Sequence, residues 1–472
     1  MSAEVPESIA SVGAADGGEH LRRSLGLFAL VSVGLGIVIS QGAIVTMLQV
    51  TGLGGPAFFV ALLIGLLIAV CYVDTFAELA LMMPQAAGLG RYTEVALGPF
   101  PAIVATFAGY IVVAFFAVAA ELLLVDGVVQ QLLPGRVPVF AVAFGVLLTA
   151  TLLNIIGVDL FARLQNGLTV LKIGSMLGLG GLALHATPAA HAPAAFPTFS
   201  FPSVLPLVAA VIWGMMGAEY ICPMIEETRQ PARTVPKAMW ITLALATVLY
   251  LIMSMGALHL IPRQQLVQAE LPHLLVAETV MGRWGIMLVG VAALSASIGL
   301  VSGVLAAVPR LLYGMACEGQ AFPIFRRLHP RFQTPWVAIV FMALAIAASM
   351  LTLRGDSKGF TVLILSAASA WLLAYIVAHL DVVVLRRRYP DLPRPYLSRW
   401  LPWPQWLGIA AMLYCLLHVS PDAALTRSIY LHAGAVLLVI AAIALGWVKW
   451  FLRRGLFEHT KLRSSGAPGL TR

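Results

Sequence analysis

Charge is scarce in this chain. Of 472 residues, 11% are Asp, Glu, Lys or Arg, while 60% are hydrophobic. A soluble domain carries about 25% charged residues, so the composition excludes an ordinary water-soluble globule and points to an all-α polytopic membrane protein. Cysteine is scarcer still. Cys71, Cys222, Cys317 and Cys415 lie in or at the ends of apolar stretches without a Cys-x-x-Cys pair. They therefore read as small buried apolar residues, not as a disulfide framework or metal site. The ten histidines lack His-x-x-x-His and His-Glu-x-x-His spacing, and the chain has no Walker A loop and no Gly-x-Ser-x-Gly turn. ATP-driven transport and embedded hydrolase chemistry thus have no support. The expectation is a non-enzyme with no metal and no cofactor.

Long apolar runs are abundant. About twelve spans of roughly 20 residues suit a hydrocarbon core of ~30 Å. The first is Gly26–Val50, the third Pro101–Leu132, the sixth Val204–Ile225, the eighth Trp284–Met315 and the short eleventh Leu407–Val419. The third and eighth are long enough to be tilted. The segments Ala186–Pro206 and Pro262–Arg283 read as loops with room for short surface helices. With the N-terminus in the cytoplasm, 22 Lys and Arg residues fall inside, six fall outside, and Lys172 alone lies within a span. That bias places both termini in the cytoplasm of a bacterial-type plasma membrane. It also accounts for the net charge of +8 without a nucleic-acid partner. The polar first twenty residues read as a disordered tail, not a cleavable signal.

Two spans are interrupted by glycine. One carries Gly34-Leu35-Gly36-Ile37-Val38-Ile39-Ser40-Gln41-Gly42, the other Trp213-Gly214-Met215-Met216-Gly217-Ala218-Glu219. Glycine weakens a helix, and in a bilayer the freed backbone groups survive only inside protein or beside a cavity. Broken spans at matching places in two halves point to a transporter substrate site. Five spans per half is an odd number, so the second half is inverted. The expected plan is a tail (1–25), a five-helix repeat (26–186), an inverted five-helix repeat (204–388), helices 11 and 12 (400–452) and a second tail (453–472).

The residues around the breaks carry the chemistry. The outer half of the first span should begin near Ser40, Gln41 and Gly42, where free N–H groups and the positive dipole end suit a carboxylate. The alternative is close helix packing through small residues. The first half of the sixth span should end near Trp213, with Gly214 and Gly217 completing the break and free carbonyls suiting an ammonium group. Trp213 could stack on a substrate or belong to an interfacial belt. Lys172 lies about 13 Å of helix beyond Arg163, too deep to snorkel easily. It is either a proton-coupling group or a fixed cation on helix-break carbonyls. Glu219 could take up a proton, face an amine, or make a helix–helix hydrogen bond. Glu226 and Glu227 are expected to pair with Arg229, Arg233 or Lys237. Glu121 reads as reaching the outer surface, and neither it nor Asp74 is given a role.

Several motifs carry a resemblance. Glu78-Leu79-Ala80 with Pro84, Gly88 and Tyr92 is similar to the second-helix exit of the amino acid–polyamine–organocation superfamily of permeases. Asn154, Gly157 and Gln165, the run from Glu226 to Ala238, and Arg310, Tyr313, Gly319, Pro323 and Pro335 resemble further motifs of that superfamily, in order. The resemblance implies a LeuT-like secondary carrier of amino acids, proton-coupled or exchanging. It implies that Lys172 takes the place of sodium in sodium-coupled relatives and that Trp213 touches substrate. Ser40-Gln41-Gly42 departs from the usual Gly-Ser/Thr-Gly break, and the stretch from Gly34 to Ser40 also looks like ethanolamine permeases. An ethanolamine, polyamine or other small-amine carrier is the rival reading. A non-transporting sensor is a remote one, disfavoured by the short tails. The expected partners are a small-molecule substrate, protons and lipid.

Overall fold

The computed structural model describes residues 23–187, 201–352, 357–392, 394–398, 400, 402–420 and 422–460. The outer parts of both expected tails, and residues 188–200 of the expected loop from Ala186, lie outside these. Every regular element among the described residues is helical, because a backbone in lipid has to satisfy its own polar groups.

The first span is split into α1 (Leu27–Val38) and α2 (Gln41–Gly54), which meet at 56°. Then come α3 (Ala57–Met82), the short α4 (Leu89–Ala96), α5 (Pro99–Leu132), α6 (Ala141–Ile156) and α7 (Val158–His185). The sixth span is also split: α8 (Phe201–Met215) gives way to a 3-10 helix over Ala218–Glu227. The rest is α9 (Pro231–Leu260), α10 (Arg263–Gln268), α11 (Pro272–Cys317), α12 (Trp336–Thr352), α13 (Ser357–Arg388), α14 (Trp403–Leu417) and α15 (Ala423–Leu452). Eight described helices are long and apolar enough to cross a bilayer. The bent α1–α2 pair and the shorter apolar α6, α12 and α14 complete the twelve spans. Five crossings precede the second broken span and five begin with it, as the inverted-repeat plan requires.

Three sequence expectations shift. The eighth span belongs to a longer helix that kinks at Gly282 (φ 58°), so α10 and the first part of α11 form the short surface helices expected in the Pro262–Arg283 segment. The eleventh begins at Trp403, earlier than expected. The third contains a π-helical stretch over Phe107–Val112.

The two broken spans pack on each other at the centre: α1 lies against α7, α9, α11 and the 3-10 helix, and α2 against α8, α10 and α11. Gly34 and Gly36 turn out not to break α1. Both are buried within regular helix, where a Cβ on Gly34 would sit 2.6 Å from Thr242 Oγ1 and one on Gly36 would collide with the Gln165 amide. Their missing side chains let α7 and α9 approach the backbone closely.

At the end of the bundle where α1 begins, the broken spans are tied covalently distant but spatially adjacent. Ser24 and Leu25 donate their N–H groups to Glu227 O at 2.9 Å, and Arg229 N–H donates to Leu25 O at 2.8 Å. The expected pairing of Glu227 with nearby basic residues is corrected: its carboxylate takes the Arg310 guanidinium from α11 in a two-pronged contact, with Nη2 at 3.0 Å, and both side chains are fully buried. Glu226 accepts from Ala86 N–H at 2.7 Å. A planar guanidinium matches two carboxylate oxygens, and α11 presents the one at Arg310 to Glu227.

Breaking a buried pair strands one charge and costs roughly 3–5 kcal/mol, whereas removing both partners costs far less. Arg310→Leu is therefore expected to lower the thermal midpoint of the purified protein sharply, and Arg310→Leu with Glu227→Leu to recover much of the loss. A double variant as unstable as the single one would contradict this account.

Candidate functional site

The first break falls at Ile39 and Ser40. Ile39 leaves the helical region (φ −103°, ψ 74°), and Ser40 caps α2 by accepting from Ala43 N–H at 3.0 Å. This opens two sets of unpaired backbone groups: carbonyls at the end of α1 and N–H groups at the start of α2.

Lys172, from α7, meets the carbonyls. Its Nζ donates to Leu35 O at 3.1 Å and to Ile39 O at 2.6 Å, and the side chain is buried. The Lys172 amine thus sits at the negative end of α1. Tyr250 from α9 donates to Val38 O at 2.7 Å, and Gln165 donates to Ser32 O at 3.0 Å. A cavity of about 20 Å³, lined by Lys172, Ser175 and His273 among apolar side chains, is large enough for one water molecule.

The N–H groups of α2 are not free, and here the expectation for Glu121 is overturned. Glu121 does not reach the surface; it is buried, and its carboxylate accepts from Gln41 N–H at 2.7 Å and from Gly42 N–H at 3.1 Å. Ser297 of α11 donates to the same carboxylate at 2.9 Å and lies 3.1 Å from Gln41 Oε1. A carboxyl group of the protein's own therefore occupies the positive end of α2, the position expected for a substrate carboxylate.

The second break lies later than expected. α8 continues through Trp213 and Gly214 to Met215, whose carbonyl accepts from Tyr72 OH at 2.8 Å. Gly214 is helical, and a Cβ there would collide with Met47 of α2. The true break is Met216–Gly217. Gly217 has φ 121°, and a Cβ on it would lie 2.7 Å from Ile37 Cγ2; glycine alone adopts this conformation without strain. Glu219 folds back to accept from Gly217 N–H at 3.1 Å.

An aromatic layer surrounds Glu219. Trp213 is half-buried and meets Trp371 of α13 edge-on at 5.4 Å. Trp371 also meets Tyr220 and Tyr375, each at 5.8 Å. Tyr72 meets Tyr375 at 5.0 Å, and Tyr110 meets Tyr220 at 5.3 Å. Tyr110 stands in the π-helical stretch of α5, the kind of local distortion that re-aims a side chain. Glu219 Oε1, Tyr110 OH, Tyr375 OH and Trp371 Nε1 are buried without hydrogen-bond partners among the described residues. Buried polar atoms are normally paired, and Tyr375 and Trp371 both face the Glu219 carboxylate.

Ser40, Gln41, Gly42, Lys172, Gly214, Gly217 and Glu219 thus gather at the two breaks, with Trp213 at their rim. Sequence reasoning missed Glu121, Ser297, Tyr72, Tyr110, Trp371 and Tyr375. An acidic residue deep in the third span was the one local signal for this group.

Two broken helices crossing at the centre of an inverted repeat, with charged and aromatic side chains at their open ends, define a membrane carrier. The chain belongs to the amino acid permease family, whose model matches residues 25–441. It is 25% identical to the branched-chain amino acid permease BcaP of Bacillus subtilis, over 90% of this chain and 94% of that one. It is also 25% identical to the glutamate/serine transporter AimA of the same organism, over 84% of this chain and 80% of that one. In structure it resembles a manganese transporter of Eremococcus coleocola, with TM-score 0.60 and 16% identity over 93% of this chain and 98% of that one. That likeness concerns the fold.

Trp213→Ala should weaken binding of an amino acid ligand by about 1 kcal/mol or more through lost aromatic contact. Calorimetric titration measures it, and unchanged affinity would remove Trp213 from the site.

Proposed function

We propose that this protein is a secondary carrier of amino acids working by alternating access, with both termini in the cytoplasm. The inverted halves 26–186 and 204–388 would rock about a site at the two breaks. Substrate would bias that motion by binding one arrangement better than the other. The observation that carries this reading is the capped break in the first span, with a cation on its carbonyl end and an anion on its amide end. Membership of the amino acid permease family supports the substrate class, and BcaP and AimA, named for quite different side chains, leave the particular amino acid open.

Lys172 is the first proposed coupling group. It holds the end of α1 from α7, so its protonation state would set how firmly the two helices are joined. Glu219, beside the second break and the unpaired aromatic donors, is the second. Ser40, Gln41, Gly42, Trp213, Gly214 and Gly217 form the proposed substrate surround.

One observation favours a small-amine carrier instead: Glu121 already fills the amide end of α2, so a substrate without a carboxylate would leave both of those N–H groups paired. Comparing uptake of serine with ethanolamine, and of leucine with isoamylamine, in proteoliposomes separates the two. Preference for the amino acids is expected; preference for both amines would transfer the assignment.

Lys172→Ala is expected to abolish accumulation driven by an imposed pH gradient while leaving substrate binding measurable. Full gradient-driven accumulation by this variant would sink the coupling role.

A further inference from the structure

We propose that Glu121 is a resident occupant of the subsite for the substrate's carboxylate, and that an amino acid enters by displacing it with uptake of one proton. This deepens, and rests on, the reading that amino acids bind at the two breaks.

The geometry is that of a bound carboxylate. Two backbone N–H groups at the positive end of α2 and one hydroxyl point at Glu121, with distances of 2.7, 3.1 and 2.9 Å. Gly42 eases the approach, since a Cβ there would lie a tight 3.1 Å from Glu121 Oε2. The subsite also has a donor to spare: Gln41 is fully buried and its Nε2 has no acceptor among the described residues. Two carboxylates cannot share these donors as anions, because like charges at contact distance repel strongly.

Exchange solves the problem only with a proton. The incoming carboxylate takes the Gln41 and Gly42 N–H bonds. The displaced Glu121 carboxylate loses its donors in apolar surroundings, where an unpaired anion is very costly. It takes a proton from water, forming one O–H bond and leaving the counter-base to the buffer. The charge of the subsite is then the same before and after. The titratable groups facing Glu121 are Lys172 on α7 and Tyr250 on α9, with the uncharged Ser297 on α11. Lys172 is engaged with the carbonyls of Leu35 and Ile39, so the proton counted on substrate binding is assigned to Glu121, and any change at Lys172 belongs to the later rocking step. A decarboxylated amine brings no rival anion, leaves Glu121 in place and takes up no proton.

The test counts protons. Purified protein is titrated calorimetrically with L-serine, ethanolamine, L-leucine and isoamylamine, each in two buffers of different ionisation enthalpy at one pH. About one proton is expected per bound amino acid and none per amine, and amino acid affinity should fall about tenfold per pH unit where Glu121 is ionised in the empty carrier. In Glu121→Gln the uptake and the pH dependence should vanish. Glu121→Ala should bind the amino acids at least tenfold more tightly at high pH and the amines as before. Amino acid binding without proton uptake in the natural protein, or uptake that persists in Glu121→Gln, overturns the proposal. If the amines bind and the amino acids do not, the amino acid reading fails by itself. The resident-carboxylate proposal then requires Glu121→Ala to gain amino acid binding, and no gain overturns it.

Discussion

A helix cut in the middle of a membrane exposes backbone groups that lipid cannot satisfy, and the whole centre of this protein is arranged around that constraint. Breaking the first span leaves carbonyls with a partial negative charge on one side and amides with a partial positive charge on the other. Each set needs partners of the opposite sign from elsewhere. Lys172 reaches in from α7 with two bonds to carbonyls, and Glu121 reaches in from α5 with two bonds from amides. Neither charge is tolerable in that environment without the helix end it faces, and neither helix end is tolerable without its charge.

The second break is handled differently. Its second half is a tight 3-10 helix, and Glu219, from its own first turn, bonds the Gly217 N–H. The partners there are local, so the neighbouring helices supply rings instead. Among the described residues, Tyr72 reaches the end of α8 with a hydrogen bond to Met215 O. The result is asymmetric: a charged, nearly saturated break in α1–α2 faces an aromatic break whose polar atoms are under-used. Aromatic side chains are therefore concentrated beside the sixth span, while ionisable ones cap the first.

Both breaks are anchored from the same end of the bundle. The backbone bonds from Ser24 and Leu25 to Glu227, and the buried Arg310 beneath them, tie the start of α1 to the end of the 3-10 helix. Any motion that separates the halves there has to part this junction. The glycines of α1 belong to the same logic. They bring α7 and α9 close enough for Gln165, Lys172 and Tyr250 to reach the backbone of the broken span.

The sequence by itself determined the class of fold and the place of the centre. Apolar length gave the expected crossings, the count per half gave the expected inversion, and lysine in a span with no carboxylate nearby in sequence pointed to the centre of the bundle. Those signals are local in the chain. Tertiary structure decided which residues meet. Gly34 and Gly36 looked like helix breakers, but a close neighbour and a bend both call for glycine, and only the packing tells them apart. The sixth span breaks at Gly217 because Ile37 and a positive φ meet there, a contact that no sequence window contains. Trp371 and Tyr375 join Trp213 and Glu219 across more than 150 positions. Glu121 was visible as an acid in an apolar span, yet its role depends on the open end of α2 lying opposite. A backbone dipole becomes a binding partner only once folding has placed it within hydrogen-bond reach.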